Sequence, residues 1–195
     1  MRTKEGNKEK DILEAAIKVF AEYGFYKSKI SKIAEVANVA AGSVYVYYKN
    51  KEDILQKIYA SLWEKMFFRL SEFVQNTRLS PDEKLDGMFD LVFDIFTQNP
   101  SMALVVVNEE YHMMLKNPEN FTDYYEKFLD LCIDIVCEGQ SAGRYSKDLD
   151  ITILRYYIFG AIRYLLQIWA NEPEKYDINK IRSSVKYIIK YGITK

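Results

Sequence analysis

Four prolines and eight glycines are all that interrupt 195 residues, so few points exist at which a helix must stop. Alternation of apolar and polar residues is scarce, which argues against half-buried strands. No apolar run approaches the roughly 20 residues that span a bilayer, and the N-terminus lacks the apolar segment of a secretion signal. No membrane role is expected. Cysteine is limited to Cys132 and Cys137, five apart in a helical pattern and therefore on different faces. That spacing forms neither a C-x-x-C pair nor a disulfide framework, and the two read as small apolar core residues of a reduced, cytoplasmic protein. Histidine occurs once, as His112. The run "EEYHMM" at 109–114 sets two carboxylates beside it, but no second ligand pair at helical spacing supports a metal. Nothing assembles a nucleophile, a base and an oxyanion hole. No catalytic residue, metal or cofactor is expected, and an enzyme is disfavoured.

Aromatics, by contrast, are abundant at 15%, with 16 Tyr exceeding 11 Phe. An excess of amphipathic rings points to roomy cavities and to interfaces. Charge is unevenly placed beneath a net of −1. Residues 1–51 carry ten Lys/Arg against six Asp/Glu, and the remaining 144 carry seventeen against twenty-two. A basic head on an acidic body suggests that the head meets something anionic.

Apolar periodicity and capping residues divide the chain into about nine helices and no strand, an all-α fold. Asn7 is placed to cap a helix over about 7–23, on which Ile12, Ala15, Ala16, Val19 and Phe20 share a face; Gly24 ends it. Ser28 is expected to cap a short helix to 36, and Asn38 to take a left-handed turn before another short helix over 40–47. Longer helices follow over about 50–76, 80–98, 100–116, 118–142, 148 or 150–171, and 177–191, with Ser80, Pro81, Pro100, Pro118 and Gly143 as boundary signals. No flexible linker separates a head of residues 1–50 from a body of 51–195.

Residues 28–47 have the arithmetic of a helix-turn-helix, whose second helix fits the DNA major groove. Val39, Val44 and Tyr48 can face the core. Ala40, Ala41, Ser43, Val46 and Tyr47 are left outward with Tyr45 beside them, and Gly42 permits close backbone approach. In "GSVYVYYKNKED" at 42–53, Tyr47 is placed to offer a hydroxyl to a phosphate and Tyr45 to reach a phosphate or a base edge. Lys51 supplies a cation at a helix start. Ser28, Lys29 and Ser31 complete the DNA-facing set, and Lys27 and Lys32 add a general positive face.

"ILEAAIKVFAEYGF" followed by "ISKIAEVANVAAGSVYVYYKNKEDIL" resembles the TetR family of transcriptional regulators over about residues 10–55. The shared pattern is an alanine pair, Phe, Glu and Gly, an Ile-Ala helix, a turn, and Gly-[Thr/Ser]-[Leu/Val]-Tyr-x-Tyr-[Phe/Tyr]-x-x-Lys-Glu. The resemblance implies a homodimer that reads a double-stranded operator with its N-terminal head and binds a small effector in its body, as a repressor released by that effector. Three departures stand out. Asn38 replaces the usual turn glycine, Ala40 and Ala41 replace a Ser and a basic residue, and Ser28–Lys29 replace a Thr pair. Alanines contact thymine methyls but donate nothing, so direct readout is expected to be sparse.

The body offers apolar stripes. Phe89, Val92, Phe93, Phe96, Tyr111, Tyr125, Leu129 and Cys132 are the candidates for an effector cavity. Tyr157, Ala161, Tyr164, Leu165 and Ile168, with Ile181, Val185, Ile188 and Ile189, are the candidates for a four-helix dimer interface, where Gly160 and Ala161 would allow close approach. "EGQSAGRYSKDLD…IFGAIRYLLQIW" is similar to the C-terminal part of fatty-acid-metabolism regulators that respond to long-chain acyl-CoA. That likeness implies a small hydrophobic effector with an anionic head, for which Arg144, Arg155 and Arg163 are the nearest cations; the alternative for each is an ion pair. A helical ligand-binding or interaction module without specific DNA readout is the other reading of the chain.

Overall fold

A computed structural model describes residues 8–116 and 118–194, apart from the side chains of 110–122. Among the described residues it contains α1 (Lys8–Tyr23), α2 (Ile30–Val36), α3 (Ala41–Tyr47), α4 (Lys51–Gln75), α5 (Pro81–Gln98), α6 (Pro100–Lys116), α7 (Pro118–Ser141), α8 (Ile151–Asn171) and α9 (Ile178–Ile193). The all-α expectation holds, and the helix ends follow the local chemistry. Gly24 at φ 73° and Asn38 at φ 54° take the left-handed turns expected of them. Asn50 caps α4 by accepting from the Asp53 N–H at 2.8 Å. Ser80 and Glu83 close a capping box ahead of Pro81. Asp150, rather than Asp148, caps α8. The Asn7 cap lies outside the described residues.

One cap differs. Helix α2 begins at Ile30 with Lys29 at its N-cap, and no side chain caps it. The Ser28 hydroxyl turns back instead, donating to the Gly24 carbonyl at 2.7 Å with the Val19 carbonyl a further acceptor at 3.2 Å. A buried hydroxyl must find an acceptor, and the carbonyls at the end of α1 and just past it are within its reach.

Ile12, Ala15, Ala16, Val19 and Phe20 of α1 meet Phe25, Ile33, Ala34, Val44 and Tyr48 in a small core. This core packs without a linker on the body, where α4 lies along α7, α5 along α7 and α9, and α6 between α1 and α8. Charges tie these layers. Buried Lys84 on α5 donates to both carboxylate oxygens of Glu138 on α7, at 2.9 and 2.7 Å. Asp86, Asp90 and Asp94, spaced one turn apart on α5, face Lys186 and Arg182 of α9, with Lys186–Asp90 at 2.9 Å and Arg182–Asp94 at 2.6 Å.

Candidate DNA-reading head and effector cavity

Between α2 and α3 the chain turns at Asn38, and the Val39 N–H returns to the Ala34 carbonyl at 3.0 Å. Val44 and Tyr48 are buried, which fixes the roll of α3 about its axis. Burial pushes the Tyr48 phenol up to about 12, and its hydroxyl donates to the Glu9 carbonyl at 3.3 Å. That roll leaves Ala40, Ala41, Gly42, Tyr45 and Val46 exposed, with Val46 at 77%, while Ser43 and Tyr47 are half-buried. Lys29 and Ser31 are exposed on the same unit, as are Tyr26, at 70%, and Lys27. Tyr26 was not legible beforehand, because nothing local distinguishes a loop tyrosine that packs from one that projects.

Two residues of the DNA-facing set sit elsewhere. Ser28 is buried and engaged with main-chain carbonyls. Lys51 reaches back to the α1–α2 corner, donating to the carbonyls of Phe25 and Tyr26 at 2.9 and 3.0 Å, with its ammonium 4.6 Å from the centroid of the Phe25 ring. A carbonyl keeps a second lone pair after one hydrogen bond, and an ammonium within reach of two such oxygens and a ring face is held there.

In the body, α4, α5, α6, α7 and α8 enclose a cavity of about 560 Å³. Of the residues expected at an effector cavity, Val92, Phe96, Tyr125 and Leu129 line it. Phe89, Phe93 and Cys132 do not: they are packed solid in the core, Phe93 beneath the Arg182 guanidinium, and burial raises the Cys132 thiol well above its ordinary value. Tyr111 and His112 fall among the side chains outside the description. The walls missed beforehand are Trp63 and Met66 of α4, Val106 and Val107 of α6, Phe128 of α7, and Phe159, Ile162 and Leu166 of α8. Trp63 and Met66, and Phe159, Ile162 and Leu166, repeat at helical spacing, but periodicity does not tell a stripe that borders a void from one that packs. Of the three arginines, Arg155 and Arg163 stand at the cavity. Arg155 is engaged by Glu126 and Asp130. Arg144 pairs with Asp82 instead, and its guanidinium holds that carboxyl below the usual carboxylate range.

Outside the cavity, α8 and α9 expose Ile153, Tyr157, Tyr164, Tyr187, Ile188 and Tyr191, each more than half exposed, with Ala161 among them, while the exposed Gly160 borders the cavity itself. Leu165, Ile168 and Ile181 are half-buried. Val185 and Ile189 differ from expectation: at 8% and 6% exposed they belong to the protomer's own core, on the side of α9 that the ion pairs turn toward α5. The exposed stripe of α9 is Tyr187, Ile188 and Tyr191.

Residues 12–58 match the family described as bacterial regulatory proteins, tetR family, and residues 62–192 match the YsiA-like protein C-terminal region. The chain belongs to the TetR family. It is a TetR-type transcriptional regulator. The fatty acid metabolism regulator protein of Bacillus subtilis (strain 168) is 30% identical over 182 residues, covering 93% of both chains. The crystal structure of FadR from Bacillus subtilis in complex with stearoyl-CoA superimposes with a TM-score of 0.83 at 30% identity, over 94% of this chain and 98% of that one. FadR from Bacillus halodurans, a fatty acid degradation regulator, gives a TM-score of 0.84 at 26% identity, over 96% and 97%. Among the described residues no cluster of His, Cys, Asp or Glu could hold a metal, and no helix is long and apolar enough to cross a membrane.

Proposed function

We propose that this TetR-type regulator is a cytoplasmic repressor that binds a palindromic operator as a homodimer and is released by a long-chain acyl-CoA. In this reading the head, residues 1–50, reads DNA, and the body, 51–195, binds effector and dimerises. It binds and releases ligands without turnover. The carrying observation is the apolar cavity of about 560 Å³ in a chain so similar to a relative that holds stearoyl-CoA. Its size and walls suit an acyl chain, each buried methylene of which contributes about 0.8 kcal/mol. A nucleotide head would lie at the mouth, where Arg155, Arg163 and the exposed Tyr156 stand.

On the DNA side, sparse base-edge donors leave phosphate contacts and DNA shape to supply affinity. Two heads on a two-fold axis must present their recognition helices about 34–36 Å apart, so a shift of a few ångströms abolishes binding. The test is to select DNA fragments with the purified protein, then titrate stearoyl-CoA and uncharged hydrophobic compounds into the complex. Release by stearoyl-CoA alone is the expected result. Release only by neutral compounds would leave a general hydrophobic sensor. Absence of any sequence-selective DNA at physiological salt would restore the interaction-module reading.

A further inference from the structure

Phe25 stands at the corner between α1 and α2, buried to 1% exposure, and its main chain is held from the body side at both ends. Its N–H donates to Oε1 of Glu109 on α6 at 3.4 Å. Its carbonyl, with that of Tyr26, accepts from the Lys51 ammonium at the start of α4. A carboxylate on the N–H side and an ammonium on the carbonyl side are the placements that main-chain dipoles favour. The corner is thus clamped between α6 and α4.

Helix α6 is also a wall of the cavity. Val106 and Val107 line it, and Glu109 lies within the next turn. The hydroxyl of Tyr59 on α4 binds the α6 carbonyls of Val105 and Val106 at 3.3 and 2.7 Å, in the interior. A rigid helix that meets the ligand space on one turn and the head on the next transmits displacement between them. The Glu109 contact is already beyond the usual N–H···O limit of about 3.2 Å, so a small displacement breaks it.

We propose that Glu109 is the positioning residue that couples the cavity to the reading head. Filling the cavity displaces α6, draws the carboxylate off the Phe25 N–H, and loosens the corner from which Tyr26, Lys27 and Lys29 project. The inference rests on the reading of the cavity as the effector site, and its test does not need the effector.

Val107→Trp places a bulky occupant in the cavity from within, and amide exchange at Phe25 reports the clamp directly. Measured by NMR on the DNA-free protein, Val107→Trp should speed exchange at Phe25 by about fivefold or more, as local opening becomes easier. Glu109→Ala should do the same, and the double variant should add little, because both remove one contact. Glu109→Gln, which keeps an acceptor oxygen, should lie nearer the parent. Melting curves verify the fold, and Val107→Phe replaces the Trp variant if it is unfolded. Unchanged Phe25 exchange in the cavity variant overturns the proposal, and so do multiplicative effects in the double variant. Stearoyl-CoA is then added to the parent and to Glu109→Ala: faster Phe25 exchange in the parent alone supports the coupling. If stearoyl-CoA has no effect while Val107→Trp does, the acyl-CoA reading fails and the coupling stands.

Discussion

Lys51 illustrates how a residue's task is settled by what lies within reach of its charge. By position it is a phosphate cation; in the fold its ammonium sits on two carbonyls and an aromatic ring. Lys51→Ala is therefore expected to lower stability by about 1–2 kcal/mol, the cost of hydrogen bonds to a charged group, read as a fall in melting temperature. The salt slope of DNA binding should stay unchanged. A slope reduced by a full unit with no loss of stability would return Lys51 to the phosphates. Lys29, exposed on the head, carries the opposite expectation: Lys29→Ala should weaken binding to all DNA sequences alike and reduce the salt slope by about one. Asp82 supplies a pH-dependent term. Its carboxyl is held below the ordinary range by hydrogen bonding to Arg144, so its folded pKa is depressed. The stabilisation is present above the unfolded carboxylate value and is lost as pH falls through the folded one. The melting temperature of Asp82→Asn should fall less steeply than that of the parent below about pH 4.

Among the elements, the junction of α7 with the segment that follows it is the tightest. A Cβ on Gly139 would overlap the ring of Tyr145, which is fully buried and cannot swing away. Gly139→Ala should destabilise the protein by about 2 kcal/mol or more, as overpacking does, although alanine is the better helix former. Denaturant melts with an unchanged midpoint would show that the ring yields. The α5 boundary is a gentler case. Ser80→Ala removes one half of the capping box, and a loss of about 1 kcal/mol is expected.

For the molecule as a whole, the exposed rings of α8 and α9 carry the expectation about assembly. Tyr157, Tyr164, Tyr187 and Tyr191 are too many large side chains on one side to leave in water, and Tyr187 and Tyr191 already lie 4.5 Å apart between ring centroids. Light scattering should give a dimer at micromolar concentration. Tyr164→Glu combined with Ile188→Asp should yield a folded monomer that no longer holds operator DNA. A dimer that survives both charges would move the interface elsewhere.

The sequence by itself determined the helices, most of their caps and the helix-turn-helix, because those rest on signals that act over a few residues: Gly24, Asn38, Asn50, Ser80 and Asp150 each bond or bend within one turn. It also carried the family pattern of the head. Tertiary structure alone decided where stripes of equal periodicity end up. Phe93 and Phe96 sit three apart on α5, yet one is packed beneath Arg182 and the other borders the cavity. Val185 and Ile188 divide in the same way between core and surface. The partners of Ser28 and Lys51 were equally out of reach, since both are main-chain carbonyls at the end of α1 and in the corner after it, which no side-chain pattern singles out. A contact such as Glu109 to Phe25 joins residues 84 apart in the chain, and only packing distances can specify it.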